Sequence, residues 1–384
     1  MTDYAWIPPD RDKDYEVLRA VVTLRPNTTL WPGQKTSVKA FLEDLVTTGT
    51  VAKPVGGLIV GSHASSEDWI AAHFADEQKD DTGYAEVTRV FNSRRAAFLI
   101  PTALYQNANP PVKLRIIGCE AGRAPEMLRK LKEVMGNNVP IVGCRFHYLV
   151  RTVEQHGGFI TFTYPFDVFS PTQLSRKQQL IDLLKARATA QPNLFKFLDG
   201  TPIPPEQWAK WVPEDAGLNK SQFKYGKKDV PLGQTLKAIS KLPAEFELWY
   251  LLRKVTRRVP NMPTPANTPA GLTAGIAALK TKLPAELPEF DPAHEYPFFR
   301  QRGCVDINEF VDSFNWKFEK DGTNTICRGQ RHDYTLYVPV KFPEAGKTWD
   351  QQRMLFHFYP APGSGLPLVS GDFTDDDARI WVTV

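Results

Sequence analysis

Two stretches of this sequence end in side chains able to make and break covalent bonds. Gly57-Leu58-Ile59-Val60-Gly61-Ser62-His63-Ala64 closes on an imidazole, and Lys113-Leu114-Arg115-Ile116-Ile117-Gly118-Cys119-Glu120-Ala121-Gly122 closes on a thiol. A thiolate is a strong nucleophile, and an imidazole that titrates near neutrality is suited to take the thiol's proton. Each reactive residue follows a short apolar run, Leu58–Val60 or Leu114–Ile117, and then small residues. Such runs read as buried strands of a parallel sheet. The residue just past such a strand stands at the sheet's carboxyl edge, where open α/β folds gather their ligands. His63 and Cys119 are thereby expected on one rim. Each also has a structural reading: free cysteine packs like a small hydrophobe, and a histidine after a strand can simply bond a backbone carbonyl.

The flanking sequence supplies the elements to hold them. Val17–Leu24 reads as a strand and Thr36–Val46 as an amphipathic helix. Ser65-Ser66-Glu67-Asp68 looks like a capped helix start, with acids in its first turn. Pro125 opens a helix that runs through Val134 and is closed by Gly136-Asn137-Asn138. Ile141–Phe146 and Phe159–Tyr164 read as further strands, and Ala97–Tyr105 is apolar but ambiguous. This alternation predicts an α/β layered domain with a mostly parallel sheet over residues 1–170.

The character changes at Pro171. Gln173–Ala190 and Leu236–Arg258 look helical, and residues 171–260 hold 16 Lys and Arg against 8 Asp and Glu, a basic helical region of charge +8. Between those helices Thr201–Tyr225 reads as irregular. Residues 261–292 form a Pro/Ala-rich connector with a short docked helix over Leu272–Leu283 and a flexible point between Pro260 and Ala270. Residues 293–384 form a β-containing C-terminal unit with strands at Tyr334–Val340, Met354–Phe358 and Arg379–Val384. With 384 residues and ordinary apolar content, the chain is long enough for two or three domains.

Composition narrows the partners. The net charge of +4 is too small to imply nucleic acid, and no apolar run reaches the length of a membrane span. The N-terminus lacks the basic head and apolar core of a signal peptide. The four cysteines, Cys119, Cys144, Cys304 and Cys327, show no zinc spacing, and His332-Asp333 and His357 show none for any metal. The expectation is a cytoplasmic protein with free thiols, no cofactor, no metal and no membrane partner.

The His63 and Cys119 endings resemble the caspase-like cysteine peptidase superfamily, which includes caspases, gingipains, legumains, separase and the bacterial CHAT domains. In these enzymes a histidine follows one apolar strand and a cysteine follows the next strand of the sheet. The resemblance covers residues 15–170 and extends to the helix and strand between Glu126 and Val142. It implies that Cys119 is the nucleophile and His63 the general base and acid. It also implies that Ala64, standing where many members have glycine, lies near the oxyanion of a bound peptide; Gly118, with Ala121 and Gly122, is small enough for the backbone to pass close to a bound carbonyl. The long stretch between His63 and Cys119 implies an insertion around Asp76–Gly83.

Substrate-binding candidates follow from charge. Asp167, after a predicted strand, could select a basic side chain, and it could equally be a capping aspartate. Arg123 could attract an acidic one, or be a solvated arginine at a helix start. Cys144, inside an apolar strand, reads as core. Trp208, Trp211, Trp249 and Trp316 read as core aromatics. Lys224, Lys227 and Lys228 beside Tyr225 mix charge and ring as single-strand binders do, but a solvated basic face is the simpler reading. Asp372, Asp375, Asp376 and Asp377 could pair with that face. The reading that results is a cysteine endopeptidase acting on a protein or peptide substrate, with the C-terminal half recognising substrate or controlling activation, and with a regulatory protein as a further expected partner. The alternative is a catalytically silent α/β scaffold that binds a partner protein.

Overall fold

The structure is a computed structural model. It describes residues 1–384 apart from 10–12, 33–34, 50, 66–68, 76–81, 94–98, 154–155, 213–221, 226–245 and 371–376. The described residues fall into two compact units. The first holds Met1–Thr163 and Val340–Val384, and the second holds the described parts of Tyr164–Asp229 and Pro243–Pro339.

The chain is mixed α/β, and the first unit is built on a mostly parallel sheet. Its early elements are β1 (Asp3–Trp6), α1 (Lys13–Thr23), β2 (Thr28–Leu30), α2 (Val38–Thr47) and β3 (Gly57–Gly61). After them come β4 (Ala64–Ser65), β5 (Trp69–Ile70), β6 (Thr82–Gly83), α3 (Tyr84–Ser93), β7 (Leu114–Ile117), α4 (Pro125–Val134) and β8 (Ile141–Cys144). β3 and β8 are apolar runs buried along almost their whole length, as parallel strands covered on both faces must be. Ser37 Oγ accepts from the Ala40 amide and starts α2, which buries Val38, Phe41, Leu42 and Leu45. Pro125 opens α4, whose buried face is Met127, Leu128, Leu131 and Val134. Gly136 at φ 95° and Asn137 at φ 64° end that helical segment in the left-handed region.

Two expectations are overturned here. The segment Val17–Leu24 lies mostly within helix α1. Its β-branched residues look extended, yet Tyr15, Leu18 and Val22 recur at helical spacing and are buried together with Val21. Ala64–Ser65 and Trp69–Ile70 are strands and not the start of a helix: β4 and β5 pair antiparallel, Ala64 opposite Ile70, and β5 pairs with β6. Ser66, Glu67 and Asp68 lie outside the described residues, as does most of the expected insertion at Asp76–Gly83.

β9 (His147–Val153) and β10 (Gly157–Ser170) follow as an antiparallel pair. The expected strand at Phe159–Tyr164 therefore exists, but in an antiparallel setting and not as another parallel strand. The division between the units falls inside β10.

In the second unit come α5 (Lys177–Ala190), α6 (Pro205–Trp211), β11 (Gln222–Tyr225) and β12 (Phe246–Val259). Then follow α7 (Pro269–Glu286), α8 (Phe298–Gln301), α9 (Ile307–Asp312), β13 (Asn315–Asp321) and β14 (Asn324–Pro339). Trp208 and Trp211 are buried and meet Phe166 edge-on and stacked, at centroid distances of 5.1 and 6.4 Å. Trp316 is buried too, but Trp249 is 38% exposed, against the core reading.

The helix expected over Leu236–Arg258 is not formed at 246–258. β12 is a long strand paired with β14 from Glu247 opposite Tyr337 to Val259 opposite Thr325, and residues 236–245 lie outside the described ones. The proline-rich stretch is also more firmly held than expected. Met262 is buried, its carbonyl accepts from Thr325 Oγ1 at 2.6 Å, and Thr264 Oγ1 meets Thr325 Oγ1 at 2.9 Å. α7 runs beyond the expected Leu272–Leu283, capped by Thr268 and buried through Gly275, Leu279 and Leu283. Its buried residues join Val255, Phe290, Phe310, Phe314 and Trp316 in one core.

The chain then returns to the first unit, where the sequence reading kept it with a separate C-terminal one. β15 (Phe356–Pro360) pairs with β10, β16 (Val369–Ser370) pairs with β15, and β17 (Trp381–Thr383) pairs antiparallel with β8. The parallel sheet has the order β17-β8-β7-β3-β1-β2.

Candidate active site

β3 and β7 are neighbours, parallel and in register from Leu58 opposite Leu114 to Gly61 opposite Ile117. The pairing continues one bond further, because the Ser62 amide donates to the Ile117 carbonyl at 2.9 Å. His63 and Cys119 thus each stand two residues past the last matched pair. Adjacent strands are about 4.8 Å apart, so both residues belong to one short span of the carboxyl edge. The strand order reverses between β1 and β3, and such reversals open the crevices in which doubly wound sheets bind ligands.

Gly118 and Ala64 make the closest approach between the two turns. A β-carbon on Gly118 would come within 2.7 Å of the Ala64 β-carbon and 3.0 Å of the Ser62 carbonyl oxygen. Only glycine lets the turns approach this closely. One residue further, Glu120 takes the left-handed conformation at φ 58°, and its amide donates to the Phe146 carbonyl at 2.9 Å. Gly122 packs against the Gly143 backbone, where a β-carbon would collide with the carbonyl oxygen. The turn after Cys119 is therefore fixed at two points, one on β8 at Gly143 and one just beyond it at Phe146.

The backbone of His63 is held from several sides. Its amide donates to the Tyr15 hydroxyl at 3.3 Å, and its carbonyl accepts from Ser62 Oγ at 2.9 Å and from the Ala71 amide at 2.8 Å. The Tyr15 hydroxyl in turn donates to the Ala71 carbonyl at 3.2 Å, and its ring stands edge-on to the imidazole at 5.0 Å between centroids. Tyr15 is a residue that the sequence reading did not single out. Its signal was the helical spacing of Tyr15, Leu18 and Val22, which a strand at that place conceals.

Cys119 is half-buried, whereas Cys144, Cys304 and Cys327 are buried. Burial pushes the Cys304 thiol up to about 11 and the Cys327 thiol up to about 12. It raises Cys144 as well, with Cys119 and Glu120 nearby adding to the effect. These three are chemically quiet at neutral pH. Cys144 sits on β8 as the apolar strand required.

The proposed selectivity residues have partners. Arg123 Nη1 is 2.7 Å from Glu120 Oε1, and that carboxylate, which the sequence reading passed over, is itself buried. Asp167 belongs to the second unit, where its Oδ1 accepts from Thr335 Oγ1 at 2.6 Å and its carbonyl accepts from Arg187. Asp377, from the acidic tail, pairs with Arg379 at 2.6 Å, while Asp372, Asp375, Asp376, Lys227 and Lys228 lie outside the described residues.

Among the described residues no group of three or more His, Cys, Asp or Glu side chains could hold a metal ion. Among them, too, no helix is long and apolar enough to cross a membrane. No family model, curated protein or solved structure matches the chain.

Proposed function

We propose that the protein is a cysteine peptidase of caspase-like type, with Cys119 as nucleophile and His63 as general base and acid. The observation that carries this reading is the register of β3 and β7, which ends both strands level and leaves a histidine and a cysteine at equal distance beyond. The half-burial of Cys119 and the close approach of Gly118 to Ala64 support it.

In this reading His63 takes the Cys119 proton, and the thiolate adds to the scissile carbonyl carbon. Backbone amides around Gly118 and Ala64 hold the oxyanion that forms. The intermediate collapses to a Cys119 thioester, and the leaving amine takes the proton from His63. His63 then deprotonates water, which attacks the thioester and releases the acid and the thiol. The rigid backbone of His63, fixed by Ser62, Ala71 and Tyr15, suits a base that must hold one position through both halves.

The test is labelling of the intact protein with an acyloxymethyl ketone peptide library, followed by peptide mapping. Label on Cys119 that is lost in His63→Ala, together with turnover of a peptide pool that needs both residues, supports the proposal. A folded protein with no labelling and no turnover of any peptide would leave the catalytically silent scaffold as the better reading.

A further inference from the structure

Among the described residues two carboxylates are buried, Glu120 and Asp333. Glu120 follows the candidate nucleophile directly, and at φ 58° its backbone lies in the left-handed region that glutamate seldom enters. The other described residues with positive φ that are not glycine are Asn27, Asn107, Asn137 and Asn261, all of a type that tolerates this region. Glycine or asparagine would make the turn at position 120 with less strain. What the glutamate adds is a buried negative charge beside Cys119. Strained backbone of this kind gathers where a fold holds a functional group in place.

That charge is answered within the same turn. Arg123 Nη1 is 2.7 Å from Glu120 Oε1, and the Arg123 amide donates to the Glu120 carbonyl at 2.8 Å across one turn of 3-10 helix, Ala121–Arg123. The Glu120 side chain is 7% exposed and that of Arg123 24%, so the carboxylate lies deeper than its cation. Cys144 shows that Cys119 and Glu120 share one neighbourhood. Burial raises the Cys144 thiol most, and both Cys119 and Glu120 add to the effect. The backbone agrees: the Phe146 amide donates to Cys144 Sγ at 3.4 Å, and the Phe146 carbonyl accepts from the Glu120 amide at 2.9 Å.

A negative charge near a thiol opposes its ionisation, and a positive charge promotes it. Partial burial strengthens both effects. From this arrangement we infer that the Glu120–Arg123 pair governs how readily Cys119 ionises. Arg123 is a positioning residue that stops the buried carboxylate from suppressing the thiolate. The inference rests on the reading of Cys119 as nucleophile and adds two residues to it. Other ionisable groups belong to, or flank, the elements packed on this turn. They are His63 after β3, Cys144 and Arg145 at the end of β8, Glu126 in the first turn of α4, and Asp377 and Arg379 ahead of β17. They are the same in every variant below, so differences between variants report the pair.

The rate of Cys119 alkylation by iodoacetamide against pH, read by mass mapping of the full-length protein, tests the inference. Arg123→Gln should move the inflection to higher pH by about one pH unit. Alkylation near pH 7 should slow by about 3-fold, because the loss of thiolate is partly offset by the greater nucleophilicity of a more basic one. Glu120→Gln should move the inflection to lower pH. The double variant should return it close to that of the unaltered protein, and Arg123→Lys should leave it nearly in place. Loosened packing alone does not produce opposite shifts that cancel. Should one single variant fail to fold by circular dichroism, the shift in the other decides. Unmoved inflections in folded variants overturn the inference, as do shifts of the same sign in both single variants. Alkylation needs no peptide, so shifts without any peptide turnover uphold the pair and count against the peptidase reading. Turnover with unmoved inflections does the reverse.

Discussion

Gly118 lies so close to Ala64 that a single added methyl would stand 2.7 Å from the Ala64 β-carbon. Van der Waals contact between carbons needs about 3.5 Å or more. The two turns bearing His63 and Cys119 are therefore set against each other by the absence of one side chain. Gly118→Ala should push the turns apart. We expect a stability loss of about 1–3 kcal/mol, the usual range for overpacking, and a larger proportional loss of Cys119 reactivity. Urea unfolding and alkylation rates on the same samples measure both. Unchanged alkylation in a destabilised protein would show that the contact is structural only.

Cys119 should account for nearly all thiol reactivity of the native protein. The other three thiols are buried, and those of Cys304 and Cys327 are pushed up to about 11 and about 12. Near pH 7 less than about one part in a thousand of such thiols is ionised, and the thiolate is the reacting form. Limiting iodoacetamide followed by mass mapping checks this. Label on Cys304 or Cys327 before Cys119 would contradict it.

His63→Ala should lower peptide turnover at least ~100-fold, the lower end of general acid–base contributions, with far-ultraviolet circular dichroism unchanged. In the proposed mechanism Tyr15 acts through His63, whose amide donates to its hydroxyl. Tyr15→Phe should therefore lower kcat by about 10-fold, leave KM near its original value and shift the pH profile of kcat. A proportional fall in folded fraction with an unaltered pH profile would mark Tyr15 as purely structural.

Stability should fall on the alkaline side. The Cys304 and Cys327 thiols have an ordinary value of 9.0 and are raised to about 11 and about 12 by burial. Above 9 the unfolded chain loses these protons while the folded chain keeps them. The unfolded state then binds fewer protons, so unfolding becomes easier as pH rises. The contribution is complete below 9.0 and is lost as pH climbs through the folded values. Urea midpoints taken between about pH 8 and about pH 10.5 should decline, and less steeply in Cys327→Ala. A flat profile would mean that these thiols are not protected.

Arg331→Met should be among the most damaging substitutions in the second unit. Arg331 is fully buried, bonds Asp333 and the Arg302 carbonyl, and lies 3.9 Å over the Phe169 ring. Its removal takes from the buried Asp333 carboxylate one of its two arginine partners, Arg253 being the other, a change somewhat smaller than the about 3–5 kcal/mol of a fully broken buried pair. The double change Arg331→Met with Asp333→Leu should recover part of the loss, which thermal unfolding can measure.

The strands and helix around the candidate site could be read from local sequence. β7 and α4 match their expected bounds because an apolar run fixes one and an initial proline with a left-handed stop fixes the other. β12 could not be read in this way. Leu248, Leu251, Leu252, Val255 and Val259 fall at helical spacing, and what overrides that period is pairing with β14, a partner some distance along the chain. Trp249 is exposed for the same reason. The pairing of β3 with β7 likewise has no local signature. The sequence marks both strand ends as reactive, and only the sheet order makes them neighbours.

The pairing of β17 with β8 has a consequence for how this protein is made. Residues 141–144 gain their outer neighbour from residues 381–383. On the ribosome, the strand that follows the Cys119 turn and its helix must wait, edge open, through the synthesis of the entire second unit. A nascent chain therefore displays an apolar strand edge for most of its translation, the kind of edge that recruits other chains. The last strand of the chain thus closes an edge that the Cys119 turn opened more than two hundred residues earlier.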